Sequence, residues 1–205
     1  MIGVIDYGAG NLSSVKNAFE RVGEDVESFS DPNLTEKYDR LVLPGVGSFR
    51  MAMEKLNDVG WPEKIKYYVE NGKPILGICL GMQLLFDEGD EDGPTKGLGL
   101  IPGKVKLMAP KSPHKIPHVG WNRLFATQSH PVMEGIKDHV DFYFVHSYEC
   151  IPESEENILS VCDHGGNFVA SVINGCVIGM QYHPEKSQPT GLTILQNFSD
   201  WDGLC

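Results

Sequence analysis

Over the first eighty residues, short apolar runs alternate with stretches of helical spacing, and that alternation leaves few folds open. Ile2 to Asp6 reads as a strand, and YGAGN turns it into a helix with Val15, Ala18, Phe19 and Val22 on one face. Val26 to Phe29 and Asp39 to Leu43 supply further strands. Helical spacing resumes at Phe49, with Ala52, Met53, Leu56 and Val59 on one face and Gly60 as the stop. A helix with Trp61, Ile65, Tyr68 and Val69 ends at Asn71-Gly72, and the strand Pro74 to Ile78 follows. Strands that alternate with helices build a parallel sheet covered on both faces, with its site at the carboxyl ends of the strands. From Gly97 onward the pattern becomes β-rich. Val105 to Met108, Val119 to Phe125, Phe142 to Cys150, Ile158 to Cys162 and Phe168 to Ile173 read as strands. The proline-containing stretch from Met108 to Val119 reads as a loop, and a helix from about Gly191 to Phe198 comes last. At 205 residues the chain fits one α/β domain, 1–205, with a substantial core.

The stretch GICLGMQLL, Gly77 to Leu85, places a cysteine at the junction of strand and helix. That is the cysteine form of a nucleophile elbow, in which a sharp turn lifts the side chain out of the sheet. A helix starting at Leu80 aims its free N–H groups at Cys79 and favours thiolate over thiol. A core cysteine before a buried helix would be the safer reading if nothing else answered it. QYHPE, Gln181 to Glu185, answers it about a hundred residues later. An apolar run from Val177 leads into His183, and Pro184 stops it. Side chains alternate along a strand, so His183 and Glu185 share a side. Cys79, His183 and Glu185 form nucleophile, base and the acid that orients the base.

PGVG, Pro44 to Gly47, joins a buried strand to a helix. Taken alone it is a plain tight turn. Beside a nucleophile, the same turn presents backbone N–H groups where an oxyanion or carboxylate is well held. YGAGN invites a dinucleotide-binding reading, but Ser13 stands where the third glycine belongs, and no acidic residue follows at the right distance. It is a strand-to-helix turn.

A formal charge of −11 disfavours a nucleic-acid partner, because a binder must neutralise phosphates. Part of that charge lies in DEGDEDG, Asp87 to Gly93, which reads as a solvated loop without the alternating ligands of a calcium site. Five cysteines, Cys79, Cys150, Cys162, Cys176 and Cys205, show no paired framework and no metal-ligand spacing, so no metal is expected. The start of the chain runs straight into a strand, and no segment approaches a membrane span; a cytoplasmic protein without a membrane partner is expected.

The chain resembles the class I (triad) glutamine amidotransferases over essentially its whole length. IDYGAGNLSSV, LPGVGSF, GICLGMQLLF, KGLGLIPGKV, IPHVGWN, FYFVHSY and QYHPEKS carry the resemblance. PGVG, PHVGWN and HPEKS point to the branch that serves histidine biosynthesis. The resemblance implies a flavodoxin-like fold, a mostly parallel central sheet flanked by helices, and glutaminase chemistry without a cofactor. It makes Cys79, His183 and Glu185 the triad, and places the oxyanion between the Leu80 N–H and that of Val46 or Gly47. Gln83 matches the family's glutamine-binding residue, while Gly47, His146, Ser147 and Tyr148 would contact the amino-acid end of the substrate. His146, a strand histidine beside an aromatic, stays outside the triad. The implied partner is a cyclase, a (β/α)8 barrel that receives ammonia through a protected channel in a heterodimer. Asn11, Trp121, Asn122 and Lys186 are the partner-facing candidates, although Asn11 serves equally as a helix cap, Trp121 as core and Lys186 as plain surface. Two alternatives remain: the same chemistry serving another barrel synthase, such as one that modifies a sugar nucleotide, and a silent regulatory subunit.

Overall fold

A computed structural model describes residues 1–137 and 140–204; Cys205 lies outside the described residues. The first half runs β1 (Ile2–Ile5), α1 (Leu12–Arg21), β2 (Val26–Phe29), β3 (Arg40–Gly45), α2 (Phe49–Val59), α3 (Trp61–Glu70), β4 (Ile75–Cys79) and α4 (Leu80–Leu84). The β-rich half begins with β5 (Phe86–Gly89), β6 (Thr95–Lys96), β7 (Ile101–Leu107), β8 (His118–Arg123) and β9 (Phe125–Ala126). It continues with β10 (Asp141–His146), β11 (Tyr148–Pro152), β12 (Ile158–Asp163), β13 (Asn167–Asn174) and β14 (Val177–Met180), and α5 (Gln188–Asp200) follows.

The main sheet has the order β2-β1-β3-β4-β14-β13-β12-β9 among the described residues. Its strands are parallel from β2 to β14 and antiparallel beyond, so a flavodoxin-like half carries an antiparallel extension. The strands β3 and β4 read as continuous apolar runs because both faces are covered. Val15, Phe19, Leu195 and Phe198, from α1 and α5, lie in the core on one face. Phe49, Leu56, Trp61, Ile65 and Tyr68, from α2 and α3, lie in the core on the other. Gly60 takes a left-handed φ of 83° between α2 and α3, and serves as the C-cap of one and the N-cap of the next. The Arg40 guanidinium donates to the carbonyls of Phe198 and Trp201 and so ties the end of α5 to the start of β3.

The structure departs from the sequence reading at several points. The expected strand Val119 to Phe125 breaks at Leu124, with β8 pairing with β10 and β9 with β12 in the main sheet. β3 continues through Pro44 and Gly45, so only residues 46–48 form the turn. The expected strand Phe142 to Cys150 breaks at Ser147: β10 pairs with β8, and β11 crosses to pair with β7 in a four-stranded second sheet, β11-β7-β5-β6. Asp87 to Gly93 is not simply a solvated loop, because β5 runs through Gly89 and Asp87 accepts a hydrogen bond from the Gly103 N–H (2.9 Å). The strand leading to His183 ends at Met180, so Glu185 reaches the imidazole through a 3₁₀ turn, Pro184–Lys186, rather than by alternation along a strand. The last helix is longer at both ends than its apolar pattern, because its ends are polar.

Candidate active site

Cys79 ends β4 with φ 56° and ψ −113°, a conformation rarely adopted by a residue with a side chain. The glycines around it make the bend possible. A Cβ on Gly81 would collide with the Leu43 carbonyl, and one on Gly77 would sit 2.6 Å from the Gly81 carbonyl oxygen. The spacing Gly-x-Cys-x-Gly therefore lets α4 pack backbone against backbone on β3 and β4. His183 follows β14, the parallel neighbour of β4, so both chemical groups emerge at the carboxyl end of the sheet.

His183 Nδ1–H donates to Glu185 Oε1 at 2.8 Å, and both side chains are buried. Burial pulls the imidazole pKa down. The contacts with Cys79 and Glu185 outweigh it and raise the value to about 9. His183 Nε2 has no closed hydrogen bond among the described residues, which leaves it free to exchange a proton. The thiol donates to the Val145 carbonyl (3.8 Å), while Gln181 Nε2 donates to the sulfur (3.9 Å).

A cavity of about 330 Å³ opens over the sulfur. Val46, Gly47, Leu80, Gln83, His146, Ser147, Tyr148 and Lys186 line it together with Cys79 and His183, so the sulfur and the imidazole meet the oxyanion and substrate candidates there, while Glu185 lies outside the lining. Gly47 has φ 100°, reserved for glycine, directly beside the exposed Val46. Gln83 is buried and donates to Gln181 Oε1 (3.0 Å) and to the Tyr148 carbonyl (3.4 Å). His146 is buried with Nδ1–H on the Tyr148 carbonyl (2.8 Å), and burial lowers its pKa to about 4. It is held neutral.

Of the partner-facing candidates, Trp121 and Lys186 share one aromatic neighbour, Tyr143. Asn11 caps α1, its side chain accepting from the Ser14 N–H (3.4 Å). Trp121 is 46 % exposed and meets Tyr143 edge-on at 5.8 Å, which excludes the core reading for it. Lys186 stands 5.7 Å over the same Tyr143 ring. Asn122 Nδ2 donates to the Asp163 carbonyl (2.6 Å).

Sequence reasoning missed two side chains here. Glu91 also lines the cavity, and its Oε2 accepts from the Phe49 N–H (2.8 Å). Ser48, the N-cap of α2, makes no cap bond of its own, so Glu91 supplies the cap from 42 residues away. Within an acidic run nothing distinguished it from its neighbours. Gln181 was legible, since it shares strand parity with His183, but it stood in the shadow of the histidine.

The model of the family described as glutamine amidotransferase class-I matches residues 3–200. This chain is a class-I glutamine amidotransferase. It is 50 % identical over 203 residues to the imidazole glycerol phosphate synthase subunit HisH of Geobacillus kaustophilus, covering 97 % of this amidotransferase and 95 % of that relative. It is 43 % identical to the chloroplastic imidazole glycerol phosphate synthase hisHF of Arabidopsis thaliana, of which it spans 34 %. Among solved structures, PurLQS from Thermotoga maritima superposes with a TM-score of 0.76 at 21 % identity, covering 97 % of each chain, a likeness of fold. No helix among the described residues is long and apolar enough to cross a membrane.

Proposed function

We propose that this amidotransferase is the glutaminase subunit of an imidazole glycerol phosphate synthase. It hydrolyses glutamine and passes the ammonia to a cyclase subunit, a (β/α)8 barrel, in a cytoplasmic heterodimer. The cyclase would use that ammonia to form imidazole glycerol phosphate and an aminoimidazole carboxamide ribonucleotide. The observation that carries the chemistry is the buried His183–Glu185 pair set against the cysteine elbow at the floor of a glutamine-sized cavity. The relatives named as synthase subunits support the partner.

The amide of glutamine is a poor electrophile, so it needs a strong nucleophile and a held oxyanion. His183 takes the thiol proton, the Cys79 sulfur attacks the amide carbon, and the negative oxygen is held by the Leu80 N–H with that of Val46 or Gly47. The imidazolium then protonates the departing nitrogen, ammonia leaves and a glutamyl thioester remains. Water, deprotonated by His183, releases glutamate. Glu185 orients the ring and stabilises its charge. Glu91 gives the cavity a carboxylate for the α-ammonium of glutamine, with Gln83 and the 146–148 backbone around the amino-acid end.

Glutamate release by the chain alone, against release with the cyclase and its nucleotide ligand, tests the proposal. Strong stimulation is expected; turnover indifferent to the cyclase would detach this chain from that partner. Glu91→Gln keeps an acceptor for the α2 cap and removes only the charge. It is expected to raise KM for glutamine about tenfold or more while kcat changes less. An unchanged KM would move the ammonium elsewhere.

The imidazolium is present below a pKa of about 9 and lost above it, so turnover should fall as pH rises through that value. Glu185→Gln removes the charge that helps to hold the proton. The alkaline limb of kcat/KM is expected to move to lower pH, by roughly one to two units. A limb that stays in place would mean that Glu185 does not set the charge of His183.

A further inference from the structure

The Tyr148 carbonyl is the end point of two hydrogen-bond chains whose directions elementary chemistry determines. A carbonyl oxygen only accepts, and it has room for two donors. His146 Nδ1, at 2.8 Å, must therefore carry a proton, and Gln83, at 3.4 Å, must present its NH₂ group. Each assignment forces the next. With Gln83 Nε2 also donating to Gln181 Oε1 at 3.0 Å, the Gln181 amide has its oxygen turned to Gln83 and its nitrogen turned to the Cys79 sulfur, 3.9 Å away. On the other branch, neutral His146 with a proton on Nδ1 leaves Nε2 as an acceptor. His118 Nδ1, at 3.0 Å, must then donate to it, and His118 Nε2 accepts from Asn122 Nδ2 at 3.5 Å. The rings of His118 and His146 are buried, and burial lowers their pKa values to about 3 and about 4, so both are neutral at the pH of turnover.

We propose that this network, anchored on the Tyr148 carbonyl, aims the Gln181 side-chain N–H at the Cys79 sulfur and makes Gln181 a donor to the thiolate. The inference deepens the glutaminase reading and rests on it for its catalytic meaning. Gln181 is fully buried, so a free amide there would otherwise be costly, and a reversed amide would set its oxygen against the sulfur. In the thiol form the proton points to the Val145 carbonyl, an acceptor that opposes a thiolate. Once His183 takes that proton, Gln181 is a side-chain donor already aligned with the charge. His118 and His146 act as positioning residues, because His146 holds the Tyr148 carbonyl in place for Gln83 and His118 holds the His146 ring.

The thiolate is read directly from the pH dependence of iodoacetamide alkylation at Cys79, followed by mass spectrometry of its peptide in the full chain without glutamine. The titratable groups around the sulfur are His183 and Glu185 after β14, Tyr7 after β1, His146 on β10, Cys150 on β11, and Glu91, Tyr148 and Lys186 in the cavity lining. Gln181→Met leaves all of them in place. Its alkylation limb is expected to rise by about 0.5–1 pH unit, a fraction of a charge-assisted hydrogen bond at this long N···S distance, and further in Gln181→Glu. His118→Phe keeps the ring stack on Phe144 but removes the donor, and should move the limb the same way by less. Should Gln181→Met fail to fold, ¹⁵N spectra of the unmodified protein still decide: both His118 and His146 must be Nδ1–H tautomers. A limb unmoved in folded Gln181→Met, or an Nε2–H tautomer at His146, overturns the proposal. A wild-type chain that is alkylated as expected but releases no glutamate with its cyclase would overturn the glutaminase reading instead.

Discussion

Cys79→Ala is expected to abolish glutamine hydrolysis, with a loss of the order of 10⁵–10⁶ in kcat, the scale seen when a triad nucleophile is removed. The neighbouring groups have no substitute for it: among the described cysteines, neither Cys150 nor Cys162 lines the cavity, and burial pushes both thiols up, Cys162 to about 12. The variant should fold normally, because the sulfur borders the cavity and alanine keeps the Cβ and the backbone bend. The discriminating measurement supplies the partner complex with an ammonium salt in place of glutamine. Product formation should then survive in the variant, since the proposed acceptor chemistry lies on the cyclase. Loss of both activities would mean that the substitution had damaged the assembly rather than the nucleophile. Residual glutamate release near the wild-type rate would place the nucleophile elsewhere.

The second large effect is on the fold itself. Gly81→Ala puts a methyl group into the Leu43 carbonyl, where neither partner can yield because both are backbone. We expect a loss of about 3 kcal/mol, near the top of the overpacking range, and for a chain of this size a melting temperature lower by roughly 10 °C. Activity should fall as well, because α4 would be pushed off β3 and β4 and would carry the Leu80 N–H with it. Gly60→Ala provides the contrast. Its Cβ would meet nothing within 4 Å, but φ is 83°, so only the backbone cost of about 1 kcal/mol applies. Equal melting temperatures for the two variants would refute the close-packing account of the Gly-x-Cys-x-Gly spacing.

The parallel half of the fold was legible because its strands, sandwiched between helices, are apolar throughout and its helices are one-sided. The cysteine elbow, the PGVG turn and the histidine were legible for a related reason: each sits where periodicity breaks, at a strand end. What stayed hidden depends on contacts between segments far apart in sequence. The crossing from one sheet to another at Ser147 leaves no mark, since β10 and β11 share the same alternation on either side. Glu91 is one acidic residue in a run of them until the chain folds and sets its carboxylate on the first turn of α2. His118 falls in the stretch read as a loop, and only pairing with His146 across the β8–β10 ladder gives it a defined proton. Glu185 was identified beside His183 although the route assumed, alternation along a strand, differs from the 3₁₀ turn that brings it there.

Cys79 and His183 are carried by β4 and β14, hydrogen-bonded parallel neighbours whose register runs Ile75 with Val177 through Ile78 with Met180. The sheet repeat therefore acts as a ruler for the distance between sulfur and imidazole: a slip of one residue would displace one of them by about 3.3 Å. A distance fixed in this way cannot be tuned gradually, by evolution or by a bound partner. Gly47 and its neighbours, by contrast, hang on a three-residue turn whose next helix is fastened by a carboxylate from another loop. Any control over turnover has its leverage there, on the side of the cavity that the sheet does not measure out.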